Sequence, residues 1–460
     1  MTPETDIRPL EVTPTFRRIA AREPLKFGAV VVEEVTYCVV EARVENRRGE
    51  QGVGHGAIPL SDFWAFPDCR VAHSVREKAM KEVSARFCEV ATDFDEYRHP
   101  IDMYLTLEEE LQGIAEDVSR ANDLPCVLPR LAQLVSASPV DGALHDAFGI
   151  VNGIDSYEGC GPDFMNHDLS HYLGEDFEGR YISDYVRSDY PDAIPVFHLV
   201  GGLDTVRKED VPEDAPQDGL PNSLEGWIER DRLTCLKVKL TGTDLEWDLG
   251  RINEVHSVAR EAHQRLGLND LSFSVDTNEQ CESPEYVVEL LNRLKEENAD
   301  AYKRVLYVEQ PTERDLMASR HDMSSIAALK PVIIDESLTS LEDFDTAVEL
   351  NWSGVALKSC KGHSWALLFA ARAEERGIPY TVQDLTNPGI SLVHSVGLAG
   401  RLHPMKGVEA NCCQFFPEAN ASVSAVHPGI CRRRDGRVSL DSIDGPGLGF
   451  RWGELPAPRG

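Results

Sequence analysis

The sequence predicts an α/β chain whose larger part is a parallel (β/α) barrel, preceded by a smaller α+β unit. Three observations predict it: a change of rhythm near residue 190, eight short apolar runs after that point, and segments of helical spacing between the runs. An open doubly wound sheet gives the same local pattern, but repeated strand–helix units in this number favour the barrel. At 460 residues, 42% hydrophobic and 27% charged, the chain is long enough to bury more than one core.

In chain order, Ala29–Val44 carries Val, Tyr and Cys in two dense runs, as antiparallel strands do, and Val75–Ala91, Thr106–Asn122 and Leu128–Val135 have helical spacing. Asn152–Tyr190 is rich in Gly, Asp, Tyr and Ser and is long for a loop, so it reads as an insertion or a spacer. The strand candidates are Ile194–Val200, Thr234–Leu240, Leu271–Val275, Val305–Val308, Pro331–Ile334, Gly354–Leu357, Tyr380–Val382 and Val408–Ala410. Between them, Leu249, Ile252, Val255, Ala259 and Ala262 recur at helical spacing. Ser283–Pro284, and Ser340 with Asp343, mark helix starts.

Seventy-eight acidic residues against 46 basic ones give a formal charge of −32, which argues against nucleic-acid and anionic-membrane partners. The longest apolar runs fall far short of the roughly 20 residues that cross a bilayer, so neither a transmembrane span nor a signal peptide is expected. Eleven cysteines without a C-x-x-C pair indicate reduced thiols in a cytoplasmic protein.

Charge falls at the strand ends: Lys237 and Lys239, Asp276 and Asn278, Glu309, Asp335 and Glu336, and Lys358 each close an apolar run. In a parallel barrel these ends converge on one mouth. Asp276, Glu309 and Asp335 then offer three hard oxygen ligands from successive strands, a set suited to Mg²⁺. Any one of them alone reads equally well as a cap on the following helix. Lys237 and Lys239 project to one side of their strand, with Lys239 nearer the mouth and Lys358 facing it across the cavity. Mutual repulsion and a nearby cation would lower the pKa of at least one lysine toward the range of a base. Such a constellation suits removal of a proton next to a carboxylate through an enediolate, whose second negative charge the cation offsets.

These residues resemble the enolase superfamily, specifically its muconate-lactonizing-enzyme-like group with some mandelate-racemase character. The likeness runs in order through K-V-K at Lys237–Lys239, D-T-N at Asp276–Asn278, E-Q-P at Glu309–Pro311, D-E-S at Asp335–Ser337 and L-K-S at Leu357–Ser359. P-L-K-F-G at Pro24–Gly28 resembles the family's mobile specificity loop, and A-L-H-D at Ala143–Asp146 its cap-to-barrel helix. The resemblance implies a modified TIM barrel of the (β/α)7β kind at 191–417, with a capping domain at 1–190 completed by a tail at 418–460. It implies Mg²⁺ on Asp276, Glu309 and Asp335, with Lys239 and Lys358 as acid/base pair and Lys237 in support. Asp335 is preferred to Glu336 as ligand, and Lys358 to Lys361 as base.

The expected activity is therefore racemisation, epimerisation or dehydration of a small carboxylic acid, with muconate-type cycloisomerisation as the alternative and a non-catalytic binding barrel as the third reading. The eighth strand, Glu409-Ala410-Asn411, lacks the D-x-D pattern of dipeptide epimerases. Metal-dependent barrel hydrolases would want histidines on the first strand, where only His198 stands. Lys26, His55, Asn278, Gln383, Asp384 and Asn387 are candidate substrate contacts, the last three being equally able to satisfy loop backbone. His198 reads as a hydrogen-bonded core histidine. Capped barrels of this type commonly self-associate, so a homo-oligomer is expected.

Overall fold

Residues 3–28 and 30–455 are described in a computed structural model of the chain. The N-terminal stretch that alternates charge with Pro and Thr forms a strand, β1 (Ile7–Phe27), antiparallel to β2 (Val30–Asn46), which also pairs with β3 (Gln51–Pro59). The two runs expected within Ala29–Val44 are therefore one strand. Ile7, Val12, Ile19 and Leu25 of β1 are buried while many intervening side chains face water, so the strand reads as polar overall. Phe27 pairs with Val30, and the resulting hairpin tip, with Gly28 in the left-handed region, reaches the barrel.

Helices His73–Asp93, Pro100–Glu108, Leu111–Ala121 and Arg130–Asn152 cover the sheet and share its core. The helix expected over Thr106–Asn122 is thus two helices. The one expected to span Leu128–Val135 continues to Asn152 through Pro139, because near-complete burial outweighs the poor helix propensity of Ser136–Pro139. The backbone of β3 lies directly on this helix: a Cβ at Gly54 would overlap the backbone of Ala147, and one at Gly56 the Pro139 carbonyl. Segment 153–190 is a chain of single turns, and Tyr157, Cys160, Met165, Leu169, Phe177 and Ile182 seat it in the core.

Eight parallel strands close the barrel in sequence order. They are β4 (Ala193–Val200), β5 (Cys235–Lys239), β6 (Ser272–Asp276), β7 (Val305–Glu309), β8 (Val332–Ile334), β9 (Gly354–Lys358), β10 (Tyr380–Gln383) and β11 (Val408–Glu409), which pairs back onto β4. Helical crossovers join the first seven to their successors, and only short turns follow the eighth, so the barrel is (β/α)7β. The tail adds β12 (Arg437–Ser439) antiparallel to the start of β4, then returns to the cap, where Leu448 N–H donates to Asp146 and Trp452 lies against His55.

Alternation along β5 explains how the mouth is built. Leu236 and Val238 face the helices, whereas Cys235 joins Phe197, Tyr307, Ile333 and Ala356 in an apolar interior plug. The same inward phase carries Lys237 and Lys239 above that plug. Among the described residues no helix is long and apolar enough to cross a membrane, and all eleven cysteines are free.

The close approach of β3 to its helix sets an expectation. Gly56→Ala should cost about 2 kcal/mol or more through backbone overlap, read as a lower denaturant midpoint. Gly113→Ala, whose Cβ meets open space within Leu111–Ala121, should be neutral or stabilising.

Candidate active site

Apolar strands end in charged residues here because each strand's last inward position clears the plug and enters the mouth. Lys237 Nζ stands 2.6 Å from Glu309 Oε1, 2.9 Å from Glu409 Oε1 and 3.2 Å from Asp276 Oδ2. Lys239 Nζ donates to Asp276 at 2.5 Å and to Asn278 Oδ1 at 2.9 Å. Across the barrel, Lys358 Nζ donates to Asp335 Oδ2 at 2.6 Å, and Lys361 reaches Oδ1 of the same carboxylate at 3.1 Å. Gln383 Nε2 donates to Glu309 Oε2 at 2.7 Å. The five strand-end motifs therefore meet in one buried cluster.

Its electrostatics follow from burial. Desolvation would lift the Asp276 carboxyl, but Lys239 and Lys237 outweigh it and hold the group at about 2. Lys358 and Lys361 likewise overcome burial at Asp335 and hold it well down. Glu309 goes the other way: burial raises it well above its ordinary value, Lys237 offsets only part, and Asp276 and Glu409 add to the rise. Burial, then Asp335 and Glu279, push Glu336 up to about 7, and burial with Glu409 pushes Asp384 to about 6. Lys237 and Lys358 are shifted upward. Burial would lower Lys237 and Lys358, but the acids facing them raise both. Neighbouring ammonium groups share carboxylates here, as Lys237 and Lys239 share Asp276, but the facing acids outweigh their mutual repulsion at Lys237 and Lys358.

The donor set fits a hard divalent cation. Asp276, Glu309, Asp335, Glu336, Asp384 and Glu409 face Lys237, Lys239, Lys358 and Lys361, all buried. In ordinary ionised form these ten groups lack two positive charges, the charge of one Mg²⁺, and the raised carboxyls express that deficit. Among the described residues the oxygens of Asp276, Glu309 and Asp335 do not lie within 4.8 Å of one another as a set, because each carboxylate is drawn to its own lysine.

The cap closes over both lysines. Lys239 Nζ lies 5.9 Å from the Phe27 ring and Lys358 Nζ 4.7 Å from the Trp64 ring. Trp64 Nε1 donates to Glu336 at 2.8 Å, and Arg314, paired with Glu279, donates to the Trp64 carbonyl. Lys26 sits beside Phe27 on the β1–β2 hairpin, where its carbonyl accepts from Gly202 N–H beyond the first barrel strand.

Other expected contacts are placed elsewhere. His55 lies against Trp452 with centroids 3.9 Å apart and faces Glu41 at 3.4 Å; β3 presents it to the tail rather than to the mouth. Asn387 accepts from Leu385 N–H and donates to Ser395 Oγ, and Asp384, which stays among the acids of the mouth, accepts from Asn387 and Asn411 N–H. His198 is the core histidine expected, held by Arg433 at 2.7 Å. The sequence reading missed Trp64, whose segment shows no charge pattern. It also passed over Glu409, which ends a two-residue strand.

Substituting Lys237 tests the cluster. Lys237→Met should cost about 3–5 kcal/mol by leaving buried carboxylates without a partner, and adding Glu409→Gln should restore part of the loss in thermal or denaturant unfolding.

The family described as "Enolase C-terminal domain-like" matches residues 220–454, just over half of the chain. No curated protein matches the sequence significantly. Solved structures share the fold at low identity. A muconate lactonizing enzyme from Pseudomonas fluorescens, complexed with muconolactone, is 18% identical with a TM-score of 0.61, covering 98% of this chain and 97% of that one. A dipeptide epimerase from Enterococcus faecalis, complexed with Mg and L-Leu-L-Tyr, is 16% identical with a TM-score of 0.60 over 96% and 99%. An N-succinyl Arg/Lys racemase from Bacillus cereus is 17% identical with a TM-score of 0.59 over 97% and 95%.

Proposed function

The chain belongs to the enolase C-terminal domain-like family, and from that premise and its barrel mouth we propose a Mg²⁺-dependent enzyme that moves the α-proton of a small carboxylate substrate. The observation that carries this reading is the placement of Lys239 and Lys358 at the ends of β5 and β9, four strands apart in an eight-stranded ring and hence opposite one another, with Asp276, Glu309 and Asp335 on the three strands between.

An α-proton beside a carboxylate is very weakly acidic, because its removal puts a second negative charge on an anion. Asp276, Glu309 and Asp335 would hold Mg²⁺, which would supply positive charge against that development, and their engagement with it would release Lys239 and Lys358 and favour the neutral amine. In one direction Lys239 takes the proton and the Lys358 ammonium returns one to the opposite face; in the other direction the roles exchange. The net result is inversion at the α-carbon, so racemisation or epimerisation is the reading favoured. Lys237 keeps Glu309 and Glu409 in place, Asn278 orients Lys239, and Gln383 orients Glu309. Phe27 and Trp64 exclude water above the two bases, and with Lys26 they shape the substrate space.

The test is deuterium incorporation at the α-carbon of a carboxylic-acid panel in D₂O. Exchange should require Mg²⁺ and cease on chelation. Lys239→Ala and Lys358→Ala should each lower turnover by about 10²-fold or more, while each leaves exchange on one enantiomer only. Full turnover in both variants would refute the base assignment. In a separate metal titration, Glu309→Gln should weaken Mg²⁺ by at least about tenfold, roughly 1.4 kcal/mol.

A further inference from the structure

A second cluster, in the cap rather than at the barrel mouth, has the composition of a different metal site. Among the described residues, one ligand atom each from Asp102, His167 and His171 lies within 4.8 Å of the others. Asp102 is in the first turn of helix Pro100–Glu108, and the two histidines lie in segment 153–190, His171 in the single-turn helix Ser170–Leu173 and His167 in the bend four residues before it. Their rings stack with centroids 4.1 Å apart, and His167 Nε2 is 3.9 Å from Asp102 Oδ1.

The carboxylate carries an independent mark of a missing partner. Asp102 is 96% buried by surface area, its exposure being 4%, and its Oδ2 has no hydrogen-bond partner. Its Oδ1 accepts from Tyr172 Oη at 2.7 Å. Arg98, the nearby cation, is bridged to Glu96. A buried carboxylate beside two imidazoles, with one of its oxygens unpartnered, is costly unless something shares it.

The segment that presents the histidines is held from several sides. Asn166 accepts from His99 N–H at 2.8 Å and donates to Asp6, Leu169 is fully buried and donates to the Arg180 carbonyl, and Tyr172 grips Asp102 itself. Only the two exposed imidazoles need turn to close the set. Ligand atoms about 2.0–2.1 Å from a tetrahedral ion lie about 3.3 Å apart.

We infer that Asp102, His167 and His171 bind a transition-metal ion of the Zn²⁺ class, which fastens segment 153–190 to the cap helix. Two imidazole nitrogens and one carboxylate select zinc-like ions over Mg²⁺, and one coordination position is left for water. Tyr172 is the positioning residue that aims the carboxylate.

The experiment titrates ZnCl₂ into the full chain in the presence of excess Mg²⁺, with bound zinc and the thermal midpoint as readouts, and repeats it with the Glu309→Gln chain. One zinc per chain and a rise in midpoint are expected in both. His171→Gln and Asp102→Asn should each weaken zinc by at least about tenfold and abolish the rise, and Tyr172→Phe should weaken it by about tenfold. Zinc retained by both His171→Gln and Asp102→Asn would overturn the inference, as would zinc lost in Glu309→Gln or no zinc bound by the native sequence.

Discussion

Ten ionisable side chains lie buried at one end of the barrel, and no packing of apolar residues could hold them there. Each must be neutralised in place, because an unpaired buried charge costs several kcal/mol. The pairing of Lys237 with Glu309, Glu409 and Asp276, of Lys239 with Asp276, and of Lys358 and Lys361 with Asp335 is that neutralisation. It explains the alternation of β5, which places both lysines inward, and the apolar plug below them, which keeps water from entering from beneath. Burial pushes the carboxyls of Glu309, Glu336 and Asp384 up, and the neighbouring acids add to the rise because four lysines face six carboxylates.

The cap is part of the same arrangement. The β1–β2 hairpin brings Phe27 to Lys239, and the segment after β3 brings Trp64 to Lys358 and Glu336, so each lysine of the proposed pair has an aromatic ring of the cap beside it. Arg314 ties Trp64 to the barrel, Tyr37 ties β2 to the Pro388 carbonyl, and Asp141 ties the long cap helix to Ser364. The chemistry proposed for the mouth thus depends on a cap whose position is fixed by hydrogen bonds from several elements, while its half-buried hairpin leaves the substrate's shape to sequence outside the barrel.

Much of this was legible in the sequence because charge at the end of an apolar strand is conspicuous. Asp276, Glu309, Asp335 and the lysines stood out by interrupting Val- and Leu-rich runs, and the structure gathers them. The direction of the lysine pKa shift was not legible, since it depends on how many acids face each ammonium group. Ile7–Phe27 was hidden as a strand because one of its faces is solvated, and the helix beyond Val135 was hidden by Pro139. Trp64 and Glu409 enter the site through tertiary placement alone. His55 was plausible by chemistry but is turned to the tail, and Asn387 is engaged by Leu385 N–H and Ser395, which only the fold reveals.

The central claim is that the mouth is two positive charges short of balance, the charge of one divalent ion, and that Asp276, Glu309 and Asp335 take that ion up. A crystal grown with Mn²⁺ and measured at the manganese absorption edge addresses this directly. The account predicts a single strong anomalous peak ligated by Asp276, Glu309 and Asp335, with Lys239 and Lys358 turned away from their carboxylates on either side. Ordered crystals whose mouth shows no such peak, with the lysines still bound to Asp276 and Asp335, would contradict it.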